Sequence, residues 1–259
     1  MVNASAEKRV PSIEKLEGHA AENNVGLHNL LLEMFNLTDI LHKGESQTKT
    51  DIRGKTDNGF VRFSLKYASL KNTQIWLPTQ VTLPDRVPNL APFSISLQKF
   101  LGTTDVEFWN AHSAGLTLSL TEQRKMRVYS DKLIDWNDII KAFNDSMQDE
   151  SLINAMMMAY KDEDPIDYLI WINKKSGGIQ IVDAKKYKEY LKTNAYWRNP
   201  GKGFTTLWCV DKNNGKKLFH LQRKGSGDGK LSCAPMFHIY KHWPESVIYY
   251  KDDSFRINT

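Results

Sequence analysis

Thr48-Lys49-Thr50-Asp51-Ile52, then Asp57-Asn58-Gly59, then Phe63-Ser64-Leu65-Lys66-Tyr67 form the stretch whose reading decides the fold. Asp and Asn side chains hydrogen-bond to nearby backbone, and Gly adopts left-handed backbone at no steric cost, so Asp57 to Gly59 suits a chain reversal. Ile52 on one side and Phe60, Val61 and Phe63 on the other are β-branched or aromatic, the residue types that fit a pleated, half-buried surface. The pattern predicts two adjacent antiparallel strands. Side chains alternate between faces along a strand, so Ser64 and Lys66 share a face while Leu65 points the other way, into the core. Pairing about the turn sets Asp51 diagonally across from Ser64.

One carboxylate and one lysine on a hairpin suit the metal-dependent cutting of a phosphodiester. That reaction requires charge to be neutralised on a pentavalent transition state and a water to be activated, and a hard cation held by oxygen ligands supplies both. Asp51 is the natural anchor for the cation. A lysine two residues beyond the second ligand position can orient the attacking water or stabilise developing charge. The arrangement Asp51…Ser64-Leu65-Lys66 resembles the PD-(D/E)xK nucleases. The resemblance implies a restriction-endonuclease-like α+β fold, a mixed central sheet flanked by helices, with Mg²⁺ held by Asp51 and the backbone carbonyl of Leu65. The chain departs from the family at position 64, where a serine stands in place of the usual acid. In the resembled nucleases a helix before the catalytic hairpin can lend a glutamate to the metal. Glu22, Glu33 and Glu45 are therefore the candidates to offset the missing acid, and the sequence does not choose among them.

A second constellation is Leu221-Gln222-Arg223-Lys224-Gly225-Ser226-Gly227-Asp228-Gly229-Lys230, a strand end running into a glycine-rich loop flanked by cations. Glycines permit close backbone approach, and Arg and Gln can read base edges, Arg on guanine and Gln on adenine. The Gln-Arg-Lys-Gly run resembles the basic segment near the C-terminus of small restriction endonucleases of the four-base-cutter type, some of which also carry an uncharged residue at the third catalytic position. This resemblance covers two islands, about residues 44–77 and 215–240. It implies double-stranded DNA as partner; Gln222, Arg223 and Lys224 are the candidates for target-site contacts, and Ser226 and Lys230 for further DNA contact. Asn72, Thr73 and Gln74 follow the catalytic strand closely enough to touch backbone or groove.

Composition sets the frame for both. At 259 residues, with 41% hydrophobic residues and seven Trp, the chain can bury a good core. We expect one domain over 1–259, with a catalytic core at about 18–110 and a basic DNA-contacting portion at about 166–245. No apolar run approaches the roughly 20 residues of a membrane span, and Met1 to Glu17 is polar and charged rather than signal-like, so a cytoplasmic location is expected. The net charge of +5 is unevenly placed: residues 174–230 hold 14 Lys or Arg against four acids, +10, and the remainder carries −5. With Tyr187, Tyr190, Tyr196, Trp197 and Trp208 among its lysines, that segment fits a polyanion whose phosphates release counterions on binding.

Helical apolar spacing predicts a helix from about Gly18 to Phe35 and further helices near Ser94–Leu101, Trp136–Met147, Ser151–Tyr160 and Ala184–Lys192. Strands are predicted at Asn72–Leu77, Tyr168–Asn173, Ile179–Val182, Phe204–Val210, Lys217–Gln222 and Met236–Tyr240, making the C-terminal portion β-rich. Rival chemistries have thinner support. Cys209, Cys233, His238 and His242 lack the compact knuckle of a zinc site, and no Gly-x-Ser-x-Gly elbow is present. Three functions stay open: a sequence-specific restriction endonuclease, acting as monomer or homodimer; a non-catalytic nucleic-acid-binding module; and a repair or structure-specific nuclease of the same family.

Overall fold

The computed structural model describes residues 21–42, 50–68, 72–75, 87–88, 136–157, 164–201, 206–223 and 235–257. Within them the hairpin forms as β2 (Ile52–Thr56) and β3 (Gly59–Ala68), paired from Thr56↔Gly59 at the turn to Ile52↔Phe63. The strand β1 (Asp39–His42) adds antiparallel to β2. On the far side, β5 (Tyr168–Asn173) runs parallel to β3, followed by β6 (Ile179–Asp183) and β11 (Ile248–Asp252), both antiparallel to their neighbours. The result is a mixed six-stranded sheet in the order β1-β2-β3-β5-β6-β11. A parallel pair needs a crossover. Here it includes β4 (Asn72–Ile75), α2 (Trp136–Gln148) and α3 (Ser151–Met157).

Alternation along these strands divides the sheet into two buried faces. Phe63 and Leu65 of β3, with Ile170, Ile172 and Ile181, pack against Leu27 and Leu31 of α1 (Val25–Phe35). The opposite face presents Leu169, Trp171 and Val182 to α2, α3 and α4 (Ala184–Asn194) and, beyond them, to a second sheet. That sheet has the order β4-β10-β9-β8-β7, formed by β7 (Ala195–Arg198), β8 (Thr206–Asp211), β9 (Lys217–Arg223) and β10 (Pro235–Tyr240). Its inner face carries Trp197, Leu207, Cys209, Phe219, Leu221 and Phe237 into the same core. Full burial of side chains of this size stabilises by about 1.5–3 kcal/mol each. The molecule is thus a mixed α+β fold in which one core joins two sheets.

Local chemistry sets the boundaries. The expected helix from Gly18 to Phe35 is interrupted: Asn24 Oδ1 accepts the Leu27 amide at 3.0 Å and starts α1 there, and Asn36, left-handed at φ 50°, ends it. Asp183 caps α4 in the same way through the Lys186 amide. Ser176-Gly177-Gly178 joins β5 to β6 with φ of 73° and 85° at the glycines, backbone that side chains rarely adopt. A Cβ on Gly177 would also collide with the Arg256 guanidinium. Met156 and Met157 of α3 are buried core residues. The helix expected at Ser94–Leu101 lies outside the described residues. No helix among those described is long and apolar enough to cross a membrane.

Candidate active site

The strand β2 begins at Ile52, and Asp51 sits just before it. The backbone ladder ends at Ile52↔Phe63, and Asp51, just outside it, reaches Ser64 and Leu65 through its side chain. The Asp51 amide donates to the Phe63 carbonyl at 2.9 Å. Its carboxylate Oδ2 accepts the Leu65 amide at 2.6 Å and the Ser64 hydroxyl at 3.1 Å. Both bonds fall on one oxygen, and Oδ1 accepts no hydrogen bond among the described residues. The carboxylate is therefore held in one orientation with its second oxygen turned away from the strand.

In a β-strand the N–H and C=O of one residue leave on the same edge. Leu65 donates its N–H to Asp51, so its carbonyl leaves on that edge too, past the end of β2. Ser64 is fully buried, while Asp51 and Lys66 are half-buried. Lys66 lies two residues beyond Ser64 on the same face, beside buried Trp171 on the neighbouring strand, and makes no ion pair among the described residues. The structure thus gathers Asp51, Ser64, the Leu65 carbonyl and Lys66 at one corner of the first sheet.

Two of the glutamate candidates lie on or just before α1. Glu33 is exposed on α1, which packs on the Phe63 and Leu65 face, opposite Ser64. Glu22 precedes the same helix, its carbonyl in contact with His28 Nε2 at 2.6 Å. Among the described residues no three His, Cys, Asp or Glu side chains cluster as metal ligands. Glu45 lies outside the described residues. The donors at the corner are the carboxylate, the hydroxyl and the carbonyl, all hard oxygens, which is the set that Mg²⁺ takes when it keeps waters and shares substrate phosphate oxygens.

The candidate DNA contacts fall on the second sheet. Its edge strand β4 follows β3 after three residues, and Asn72, Thr73 and Gln74 pair with Tyr240, Ile239 and His238 of β10. Across β10, Gln222 and Arg223 pair with Met236 and Pro235. The two groups, far apart in sequence, therefore flank a single strand. Lys224, Ser226 and Lys230 lie outside the described residues.

The basic segment is less uniformly exposed than its composition suggests. Tyr187 and Trp197 are core residues, because alternation in β7 sends Ala195 and Trp197 inward and Tyr196 and Arg198 outward. Lys188 and Lys192 both pair with Glu150, at 2.6 and 2.7 Å, and their hydrogen bonds hold its carboxyl down at about 2. Cys209 is buried in the core, on the face opposite His238, and burial pushes its thiol far up.

No protein-family model matches the sequence, and no curated protein matches it with significance. Among solved structures the chain is similar to restriction endonuclease MspI in complex with its cognate DNA. The TM-score is 0.41 and the identity 16%, with 82% of this chain and 77% of that chain covered.

Proposed function

We propose that this chain is a Mg²⁺-dependent endonuclease that cuts double-stranded DNA at specific sites, as restriction enzymes do. The observation that carries the reading is the corner itself: one pinned carboxylate with a second oxygen left over, a strand carbonyl on the same edge, and a lysine on the same face that makes no ion pair among the described residues.

When bound, the metal supplies charge neutralisation at the scissile phosphate and a water of lowered pKa. Asp51 Oδ1 and the Leu65 carbonyl would hold it. Ser64 fixes the carboxylate by donating to Oδ2, the role its hydroxyl can fill without a charge. The Lys66 ammonium stabilises negative charge as it develops on the phosphate oxygens, or orients the attacking water. Asn72, Thr73, Gln74, Gln222 and Arg223 flank β10 and are assigned to the DNA.

The second reading, a non-catalytic DNA-binding module, is favoured by the same two hydrogen bonds. They continue the β2–β3 ladder beyond the last backbone pair, a structural task for Asp51. Incubation with unmethylated plasmid separates the readings. Discrete fragments in Mg²⁺ and none in EDTA are the expected result. Smearing would point to a less specific nuclease, and retarded but uncut plasmid to the module.

A further inference from the structure

The outer face of the second sheet holds a feature that the nuclease reading leaves unused. Backbone pairing aligns Arg198, Trp208, His220 and His238 in one row across β7, β8, β9 and β10. The next residue of interest breaks the alternation. Register slips between Cys209 and Val210, which pair with Phe219 and Lys217, so Leu218 is an extra residue on β9. Leu218 and Phe219 are consequently both buried in the core, and Lys217 is turned out. Bulges of this kind re-aim a side chain and are frequent beside functional sites.

The bulge sets Lys217 on Trp208. Its Nζ stands 3.5 Å from the indole centroid, and 5.9 Å from the ring of Tyr240. The Arg198 guanidinium carbon lies 5.4 Å from the same indole. Neither cation meets a carboxylate among the described residues. Burial, and after it the neighbouring Arg198 charge, lowers the Lys217 pKa. An aromatic ring attracts a cation but carries no net charge, so the pair stays electrostatically incomplete.

We propose that Arg198 and Lys217, held on the ring of Trp208, form a binding site for the phosphodiester backbone of a nucleic acid. A phosphate between the two donors supplies the missing negative charge. The adjacent β8–β9 turn carries exposed Lys212 and Lys216, which adds positive charge beside the pair and suits a polymer better than a single ion. This inference rests on the proposal that the chain acts on DNA, and it assigns phosphate contacts that the sequence alone did not pick out.

The test is the salt dependence of duplex binding in EDTA, followed by fluorescence anisotropy for the wild type, Arg198→Gln, Lys217→Met and the double variant. Each phosphate contact contributes about 0.9 to the slope of log affinity against log salt, so the double variant is expected to lose about 2 of that slope. Lys217→Arg and Arg198→Lys, which keep the charges, are expected to bind like the wild type. An unchanged slope in the double variant would overturn the site, as would charge-keeping variants as weak as the neutral ones, since packing alone would then be at work. Release of the duplex by inorganic phosphate at matched ionic strength would also overturn it, in favour of a free anion. Wild type that binds with this slope and never cuts would remove the nuclease reading and leave the phosphate site standing. Wild type that cuts while the variants bind unchanged would do the reverse.

Discussion

The two sheets solve opposite electrostatic problems. At the corner of the first, a carboxylate is fixed by an amide and a hydroxyl on one oxygen, with a lysine nearby on the same face. On the outer face of the second, two cations crowd one indole and meet no carboxylate among the described residues. The first arrangement suits an electropositive guest and the second an electronegative one. A metal ion at one and a phosphate backbone at the other would make the two sites parts of one task, joined through β3 and β4.

The largest effect expected from breaking this division is at the first sheet. Asp51→Ala and Lys66→Ala should each lower cutting of a plasmid by about 10²–10³-fold in Mg²⁺. Both should leave duplex binding in EDTA close to that of the wild type. Loss of binding in Asp51→Ala would mean that the corner supports the fold of the binding face, and the two regions would no longer be separable. Ser64→Ala comes next, since it removes only the hydroxyl that holds Oδ2. Loss of such an orienting partner costs about 10–100-fold in activity or metal affinity, read as a rise in the Mg²⁺ concentration needed for half-maximal cutting. Unaltered Mg²⁺ dependence would show that the Leu65 amide alone fixes the carboxylate.

The smallest expected effect lies between the sheets, where Glu150 ties the start of α3 to Lys188 and Lys192 of α4. Hydrogen bonds from the two lysines depress the Glu150 pKa to about 2 from an ordinary 4.5. A depressed carboxyl adds stability above its unfolded pKa and loses it as pH falls through the folded one. Part of the wild-type resistance to unfolding should therefore fade between about pH 4.5 and about 2, and Glu150→Gln should flatten that part of the curve. Because the group is only half-buried and solvent screens its ion pairs, the difference will be modest. Equal pH profiles for the two proteins would remove this contribution.

Much of the first sheet was legible in the chain. Asp-Asn-Gly between β-branched and aromatic runs specified the hairpin, and strand alternation put Ser64 and Lys66 on one face and Leu65 on the other. The short strands β1 and β11 were missed, because four or five residues such as Asp-Ile-Leu-His carry little pattern and form only where β2 and β6 offer an edge. The helix reading ran through Asn23 and Asn24, since apolar spacing continues across them, although the Asn24 side chain restarts the helix. Glu22, Glu33 and Glu45 are the glutamates expected to offset Ser64; Glu33 is exposed on α1, whose Leu27 and Leu31 pack on the face opposite Ser64, and Glu45 lies outside the described residues. Least legible was the Arg198, Trp208 and Lys217 group. It draws on three strands and on a one-residue register slip that no local spacing announces.

The most direct test of the account is calorimetric titration of Mg²⁺ into the protein bound to a duplex carrying a non-cleavable linkage, for wild type and Asp51→Ala. The account predicts a binding event in the wild type that is absent from Asp51→Ala and intact in the Arg198→Gln, Lys217→Met double variant. Equal Mg²⁺ binding by wild type and Asp51→Ala would contradict it.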